Sequence, residues 1–344
     1  MAAHPGWKRF RHQLEWLAVS ALAILVPLLP RVVCCYLARI GGAAAAHLDA
    51  HGRKVALANL TFAFKEELSV ADRTCIIRES YQHFAATMLD LFWGPRLTPE
   101  NFHKFIDFDA AQFREIGVAE GEPFVFGCYH YGNFEWLSLA GGYLGFRGTI
   151  IAQEFKNPLL DPIFKRLREH SGHNMVAREG GIMRLYKTLR RKGYVAILID
   201  LTIPPKIPTV VIDCFGLKTS VTFAHAWLHR QTGVPLVTAH CEPLPRGRYR
   251  VVLHRPKFAP DATLQQIAQA CWDEFEPHVR RNPAPWLWMY KHWRYRPGVA
   301  QRAEYPFYAN FSEDFEERLH ESGFPAILRG QKPPPTSDLL TKST

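Results

Sequence analysis

Residues 123–145 read PFVFGCYHYGNFEWLSLAGGYLG. The first seven residues are a continuous apolar run with the length of a buried strand, and the segment after it predicts a helix that begins at an Asn133 cap and ends at glycine. Gly132 lies between the two and can adopt the backbone conformation that a sharp bend requires. A buried strand that turns directly into a helix is typical of a parallel sheet covered by helices.

Strands and helices continue to alternate after this unit. Apolar runs of strand length occupy 148–154, 194–200, 234–242 and 247–256. Helix-like spacing of apolar residues occurs in 52–64, 73–93, 161–172, 179–193, 219–233 and 263–280. A Pro-Arg-Gly turn joins the last two strand runs and predicts an antiparallel pair. The predicted fold class is α/β, a mostly parallel mixed sheet flanked by helices, in which ligands bind at the carboxyl ends of the strands.

Composition and charge narrow the class of protein. The chain has 344 residues, of which 47% are apolar, and a net charge of +10 at pH 7. This composition excludes a disordered chain, and the positive charge favours an anionic partner such as a membrane surface, a phosphorylated substrate or nucleic acid. Seven cysteines without a C-x-x-C pair argue against a disulfide framework or zinc finger and predict reduced thiols in a cytosolic environment.

The N-terminal segment combines a basic start with apolar runs. Lys8, Arg9 and Arg11 precede an apolar run from Leu14 to Leu29, and a second apolar run follows Arg31. As a helix the first run would measure about 24 Å, less than the roughly 30 Å hydrocarbon core of a bilayer. We expect an N-terminal apolar membrane-anchoring helix, spanning or monotopic, with a shallow or hairpin anchor favoured. A cleaved signal peptide and a buried core helix are the alternatives.

His130 lies just past the predicted strand, at the sheet edge where an α/β fold binds its ligands. Glu135 falls in the first turn of the next helix, and across the bend its carboxylate could accept a proton from the imidazole. Such a contact fixes the tautomer and raises the basicity of the other nitrogen. The pair has no nucleophile of its own and could activate a substrate hydroxyl. In the structural alternative, His130 packs at the strand end and Glu135 interacts with the helix dipole.

Polar groups elsewhere are predicted to join this edge. Arg178 precedes a Gly-rich helix start, which could bind an anion through backbone N–H groups and the guanidinium. Asp200 ends the strand run 194–200 and should reach the same edge as His130. The structural alternatives are a solvated basic helix and a turn-capping aspartate.

The segment 283–297, PAPWLWMYKHWRYRP, interleaves aromatic and basic residues. It could cover an acyl chain and bind a phosphate, with Arg294 as a substrate ligand; the alternative is an aromatic core strand with a basic edge. The HSGH sequence at 170–173 has metal-ligand residue types, but no third ligand has a suitable spacing, and we predict no metal.

Taken in order, these segments resemble a known family. HYGNFEW (130–136) is similar to the H-x4-[D/E] block of the lysophospholipid acyltransferase superfamily, specifically of the lipid A biosynthesis acyltransferases. Residues 178–200, 210–237 and 282–297 resemble the Arg-led helix and strand, the Phe-Gly segment and the closing Trp-rich block of that family. The similarity covers roughly residues 10–297, and mycobacterial phosphatidylinositol mannoside acyltransferases share the pattern.

The resemblance implies a role for each matching residue. His130 would be the general base and Glu135 its orienting partner, with backbone N–H groups near Asn133 stabilising the oxyanion. Arg178 would bind the substrate or the oxyanion, and Asp200 would be a supporting acid. The chain departs from the family pattern at Leu201, where glutamine is usual, and at Tyr-Lys-His (290–292), where a His-Arg-Arg-like run is usual. Both departures bear on which acceptor is used.

The implied activity is transfer of a fatty acyl group from acyl carrier protein or coenzyme A to a hydroxyl of an anionic glycolipid such as a lipid A precursor, without a cofactor. The expected location is the cytoplasmic side of a bacterial inner membrane, and nucleic acid is not an expected partner. Alternatives are a phosphatidylinositol mannoside or lysophospholipid acceptor, a membrane-bound hydrolase, and a basic adaptor. We expect an anchor at 1–48, a catalytic domain at 49–300 and an extension at 301–344 that is disordered from about 330.

Overall fold

The computed structural model of the chain describes residues 5–298 and 302–320. Its helices are α1 Pro5–Leu25, α2 Arg31–Leu48, α3 Ala50–Phe64, α4 Val70–Trp93, α5 Ala111–Glu115, α6 Phe134–Tyr143, α7 Asp161–Glu169, α8 Gly181–Arg190, α9 Ala224–Thr232, α10 Leu264–Arg281 and α11 Glu313–His320. Its strands are β1 Ile106–Asp107, β2 Val125–Gly132, β3 Gly148–Ala152, β4 Asn174–Ala177, β5 Tyr194–Leu198, β6 Val210–Cys214, β7 Leu217–Val221, β8 Leu236–Leu244, β9 Arg248–His254, β10 Tyr295–Arg296 and β11 Asn310–Phe311.

Seven strands form one sheet in the order β1-β9-β8-β2-β5-β3-β4. The pair β8–β9 is antiparallel, and the other neighbouring pairs of this sheet are parallel. The predicted α/β class with a mostly parallel mixed sheet is therefore confirmed. The carboxyl ends of β2, β5, β3 and β4 meet at one edge, because parallel strands all point the same way.

The strand β2 lies at the centre of the sheet, between β5 and β8. Its side chains alternate between two hydrophobic cores, one on each face of the sheet, as the two-residue period of a strand requires. One core receives Val125, Tyr129 and Tyr131, and the other receives Phe126 and Cys128. Burial on both faces explains why this strand reads as a continuous apolar run.

Gly132 makes the turn from β2 into α6 possible. Its φ is +58°, and a Cβ at this position would lie 1.7 Å from the carbonyl oxygen of Cys241. Asn133 then caps α6 as predicted, because its side-chain oxygen accepts the N–H of Trp136 at 2.9 Å. Because of this turn, α6 begins two residues after the end of β2.

Two strand features differ from the sequence-based prediction. The strand β4 was not predicted, because it has only four residues, which are half-exposed or exposed, and its apolar part, Met175–Ala177, is shorter than the runs that predict a strand. The hairpin of β6 and β7 was missed as well, and the helix predicted to begin at Thr219 begins at Ala224. The segment 219–221 pairs with β6, so that its side chains contribute to the hairpin and not to a helix.

The second N-terminal helix packs on the body of the protein. Four buried residues spaced four apart line one face of α2: Cys34, Ala38, Gly42 and Ala46. A Cβ on Gly42 would lie 2.5 Å from the Cα of Gln82 in α4, so these two helices touch through their backbones. Within the described residues, no helix has both the length and the apolar character that crossing a membrane requires. The spanning form of the predicted anchor is therefore not found there.

A buried ion pair fixes the start of α2. Arg31 makes a two-pronged contact with Asp90 of α4, and Asp90 also accepts hydrogen bonds from Asn133 at 2.7 Å and Tyr249 at 2.8 Å. Burial raises the pKa of Asp90 to about 6, while Arg31 and the hydrogen bonds act to lower it. The network joins α2, α4, α6 and β9 around one carboxylate.

Part of the predicted C-terminal extension is folded. The strand β11 pairs with β10, and Tyr305, Tyr308 and Phe315 are buried. The predicted disorder from about residue 330 lies outside the described residues.

Candidate active site

The side chain of His130 is paired with Asp200. His130 extends from β2, and Asp200 follows the neighbouring parallel strand β5 by two residues. The Nδ1 atom of His130 and Oδ1 of Asp200 are 2.7 Å apart. Because a carboxylate only accepts, this contact places the proton on Nδ1 and leaves the lone pair of Nε2 available. The His130 side chain is 11% exposed, and Nε2 has no hydrogen-bond partner among the described residues.

Asp200 is held in place by two more donors. Its Oδ2 accepts the backbone N–H of His130 at 2.9 Å and Nε1–H of Trp286 at 3.0 Å. Burial acts to raise the pKa of Asp200, but His130 and the hydrogen bonds outweigh it and hold that pKa below its usual value. The carboxylate is thus charged and oriented on both of its oxygens.

Glu135 is not found in contact with His130 within the described residues; its partner is Arg168 of α7. Both carboxylate oxygens receive N–H groups of the guanidinium, at 2.6–3.2 Å. Burial acts to lower the pKa of Arg168, but Glu135 outweighs it and raises that pKa. The predicted orienting contact is corrected accordingly, because the parallel neighbour β5 brings Asp200 to the imidazole while the first turn of α6 directs Glu135 toward α7. A catalytic role for Glu135 stays a prediction.

Asn133 is fully buried, and both ends of its amide are used within the protein. The oxygen caps α6 and the nitrogen donates to Asp90 at 2.7 Å. Its side chain therefore positions the helix start and has no exposed atom for a substrate. The ring of Phe134, the next residue, lies 4.8 Å from the His130 ring between centroids, which places the start of α6 beside the imidazole.

The charges of Arg178 and Arg294 both act on one tyrosine, Tyr290. Arg178 is exposed and follows the edge strand β4, and the guanidinium of Arg294 lies 5.7 Å from the centre of the Tyr290 ring. Burial raises the pKa of Tyr290, the charges of Arg294 and Arg178 act to lower it, and Asp200 acts to raise it. The Tyr290 hydroxyl is therefore within electrostatic range of both cations and of Asp200. Substrate binding by these residues stays a prediction.

The Trp-rich segment 283–297 packs into the core. Trp286, Trp288 and Trp293 have no exposed surface, and His292 stacks on Trp286 with centroids 3.9 Å apart. These tryptophans lie in the core, as the structural alternative proposed, but only Tyr295–Arg296 of the segment form a strand. One of them nevertheless reaches the site, through the bond from Trp286 to Asp200.

The last histidine of the HSGH segment, His173, has a structural role. The Nδ1 of His173 accepts the N–H of Gly148 at 3.1 Å, and Nε2 is 2.7 Å from the carbonyl oxygen of Ser138. Both ring nitrogens are thus engaged with the backbone, which joins β3 to α6.

Sequence reasoning missed Arg168 and Trp286. Arg168 lies among other basic residues of α7, and nothing in its spacing singles it out. Trp286 belongs to a segment that was singled out, but its bond to Asp200 connects residues 86 positions apart. The observed arrangement is an imidazole that is hydrogen-bonded to a buried carboxylate and lies beside the start of α6.

Comparison with known proteins identifies the family. The family model of the bacterial lipid A biosynthesis acyltransferases matches residues 4–295, which include helices α1 to α10 and the whole seven-stranded sheet. A search of curated proteins gives no match. The matched range includes His130, Glu135, Arg178, Asp200 and Arg294. The chain belongs to the bacterial lipid A biosynthesis acyltransferase family and is an acyltransferase enzyme.

Proposed function

We propose that this enzyme moves a fatty acyl group from a thioester of acyl carrier protein or coenzyme A to a hydroxyl of an anionic glycolipid such as a lipid A precursor. The observation that carries the proposal is the contact of His130 Nδ1 with Asp200, which leaves Nε2 free to take a proton. Family membership supports the reaction class and a lipid acceptor in general. The net charge of +10 fits an anionic acceptor.

In the proposed reaction, Nε2 of His130 takes the proton of the acceptor hydroxyl as its oxygen attacks the thioester carbonyl. The tetrahedral intermediate then expels the thiolate, and the imidazolium returns the proton to sulfur. An ester bond forms, the thioester bond breaks and the base is regenerated. Asp200 stabilises the imidazolium, and proton transfer of this kind typically contributes about 10²–10⁴-fold to the rate.

The start of α6 is our candidate for oxyanion binding. The backbone N–H groups of Phe134 and Glu135 have no acceptor among the described residues, and they lie at the positive end of the helix dipole. The charge of Glu135 would repel an oxyanion, but its ion pair with Arg168 neutralises it. Arg178 is a second candidate ligand. Each well-placed donor of this kind is worth about 10²–10³-fold in kcat.

We further propose that the enzyme lies on the membrane surface through its N-terminal helices. Most of the exposed large apolar side chains of the described residues lie in the first 48 positions, among them Trp7, Leu17, Ile24 and Ile40. Exposed apolar residues concentrated in this way mark an interaction surface, and an amphipathic helix with basic residues is typical of a monotopic anchor. The proposed location is the cytoplasmic face of a bacterial inner membrane, which fits the free cysteines.

The test is an assay of the purified chain in mixed micelles with each acyl thioester and each class of acceptor: a lipid A precursor, a phosphatidylinositol mannoside and a lysophospholipid. Mass spectrometry of the products identifies the transferred chain and its acceptor. We expect acylation of the lipid A precursor, and His130→Ala to remove it. His170→Ala, which alters an exposed histidine near the end of α7, is the matched control and should retain activity.

Three results would reject the proposal in different ways. Acylation of another acceptor alone would replace the substrate, and release of free fatty acid at the same rate with and without acceptor would favour the hydrolase. Full activity of a folded His130→Ala variant would reject the mechanism.

A further inference from the structure

Three histidines lie close together near the open end of the β8–β9 hairpin, away from its turn. His240 lies on β8, His254 ends β9 and His278 lies on α10. Their ring centroids are 4.5, 4.9 and 5.4 Å apart, and one nitrogen of each ring lies within 4.8 Å of one nitrogen of each other ring. We call these three residues the histidine cluster. Because they come from three separate elements, their convergence cannot be read from the local sequence.

The histidine cluster contains polar atoms that the protein leaves without partners. The Nδ1 of His240, Nε2 of His254 and Nδ1 of His278 are buried and have no hydrogen bond within the described residues. His240 has no exposed surface at all. An unpaired buried polar group is costly, so three of them in one place indicate that something else satisfies them.

Carboxylates surround the cluster. Oε1 of Glu242 lies 3.4 Å from Nε2 of His240 and 3.7 Å from Nδ1 of His278, and Oε2 of Glu274 lies 3.5 Å from Nδ1 of His254. Histidines that bind a metal commonly hydrogen-bond a carboxylate through their other nitrogen, which fixes the ring. Glu242 can fill this role for His240 or supply a fourth ligand.

We propose that the histidine cluster binds one divalent transition-metal ion of the Zn²⁺ class, with Glu242 as the nearest acidic group. Zinc takes three imidazole nitrogens at about 2.0–2.1 Å in a tetrahedral site, which places them about 3.3 Å apart. Rotation of the three rings inward from their present spacing would satisfy this geometry. Three nitrogen ligands and a carboxylate suit zinc, copper or nickel better than magnesium or calcium.

The site would act on stability and not on acyl transfer. It would tie α10 to β8, the strand next to β2, and the His240 ring contacts Tyr131 with centroids 5.3 Å apart. Tyr131 follows His130 directly, so the metal would support the strand that carries the base from its other side. No step of the proposed reaction uses it.

The test is metal binding by the full-length chain, prepared without an affinity tag of histidines and freed of metal with a chelator. We expect one Zn²⁺ per chain by elemental analysis after dialysis, a higher Tm in the zinc form, and a visible Co²⁺ spectrum typical of tetrahedral coordination. His254→Gln/His278→Gln should abolish the stoichiometric binding and the rise in Tm. The matched control His47→Gln/His51→Gln, which removes two exposed imidazoles, should keep both.

X-ray absorption at the zinc edge of the wild-type protein adds a measurement that needs no variant. Scattering from three imidazole rings would support the site even if the double variant did not fold. Three results would overturn the proposal: absence of stoichiometric zinc from the wild-type chain, binding that survives in a folded His254→Gln/His278→Gln variant, or a zinc shell with fewer than three imidazoles.

Discussion

Asp200 binds His130 twice, through Nδ1 of the ring and through the backbone N–H, and uses a different oxygen for each contact. The oxygen that faces the backbone also accepts Nε1–H of Trp286. The carboxylate therefore links the position of the β2 backbone to the orientation of the imidazole. A change that keeps its shape but alters its donors and acceptors will act on the tautomer of His130.

Asp200→Asn should lower kcat by about 10⁴-fold while the protein stays folded, the effect seen when a triad aspartate is replaced by asparagine. Two donors converge on Oδ2, so the asparagine oxygen will take that position and its NH₂ will face Nδ1 of His130. The imidazole must then accept at Nδ1 and carry its proton on Nε2, where it cannot act as a base. The measurement is kcat together with the ¹⁵N shifts of the ring. A proton that stays on Nδ1 in the variant would contradict this account.

Glu135→Gln and Arg168→Met should each destabilise the protein by about 3 kcal/mol, because each leaves one charge of a buried pair unmatched. The double variant should cost less than the sum of the two. The value of kcat should fall most in Arg168→Met, which leaves the charge of Glu135 unneutralised at the start of α6. Urea unfolding and steady-state assays measure both quantities. If Glu135 acted on His130 directly, Glu135→Gln would lose far more activity than Arg168→Met.

The free energy of unfolding should fall as the pH drops from about 6.5 toward 4, in part because of His225. This residue of α9 is 1% exposed, neither ring nitrogen has a partner among the described residues, and burial lowers its pKa to about 3. The unfolded chain binds a proton near pH 6.5 and the folded chain does not, so stability rises with pH across this window. Relative to the wild type, His225→Leu should raise the free energy of unfolding by about 2 kcal/mol more at pH 5 than at pH 7, since one pKa unit is worth about 1.4 kcal/mol.

Chemical unfolding at the two pH values measures this difference, with His51→Leu, a substitution of an exposed histidine, as the control. If His225→Leu changed the free energy of unfolding equally at pH 5 and pH 7, the ring would be binding a proton at pH 5 in the folded protein as it does in the unfolded chain, and this prediction would be wrong.

Leu17→Glu/Ile24→Glu should weaken binding to vesicles of phosphatidylethanolamine and phosphatidylglycerol, because both side chains are exposed on α1 and lose favourable burial in the interface. Sedimentation with vesicles measures the bound fraction. Val70→Glu, at an equally exposed apolar position on α4, is the control and should bind like the wild type. Equal binding by all three proteins would place the membrane contact elsewhere.

The sequence carried the parts of the fold that local patterns control. The apolar runs of β2, β5 and β8, the Asn133 cap and the bend at Gly132 each follow from a few neighbouring residues, and the structure contains all of them. The strand β4 was missed because it is a strand of four residues at the edge of the sheet, and its three apolar residues are too short a run to predict a strand. Local patterns thus predict central strands better than peripheral ones.

The site was predicted as a location and only partly as a set of contacts. His130 and Asp200 were both placed at the carboxyl edge, since each follows an apolar strand run. That they touch depends on β2 and β5 being neighbours, which the order of strands along the chain does not determine. Glu135 was assigned to His130 because it is close in sequence, whereas the direction of α6 carries it to Arg168.

The buried pair of Arg31 and Asp90 sets the limit for shortening the protein in crystallisation trials. A truncated protein that starts between α1 and Arg31 lacks the apolar first helix but keeps the guanidinium of Arg31. A protein that starts after α2 would lack Arg31 and leave the buried carboxylate of Asp90, which has 0% exposure, without this counter-ion. Asp90 would still accept hydrogen bonds from Asn133 and Tyr249. Such a protein would be expected to aggregate, because it would lose both this counter-ion and the packing of α2 against α4.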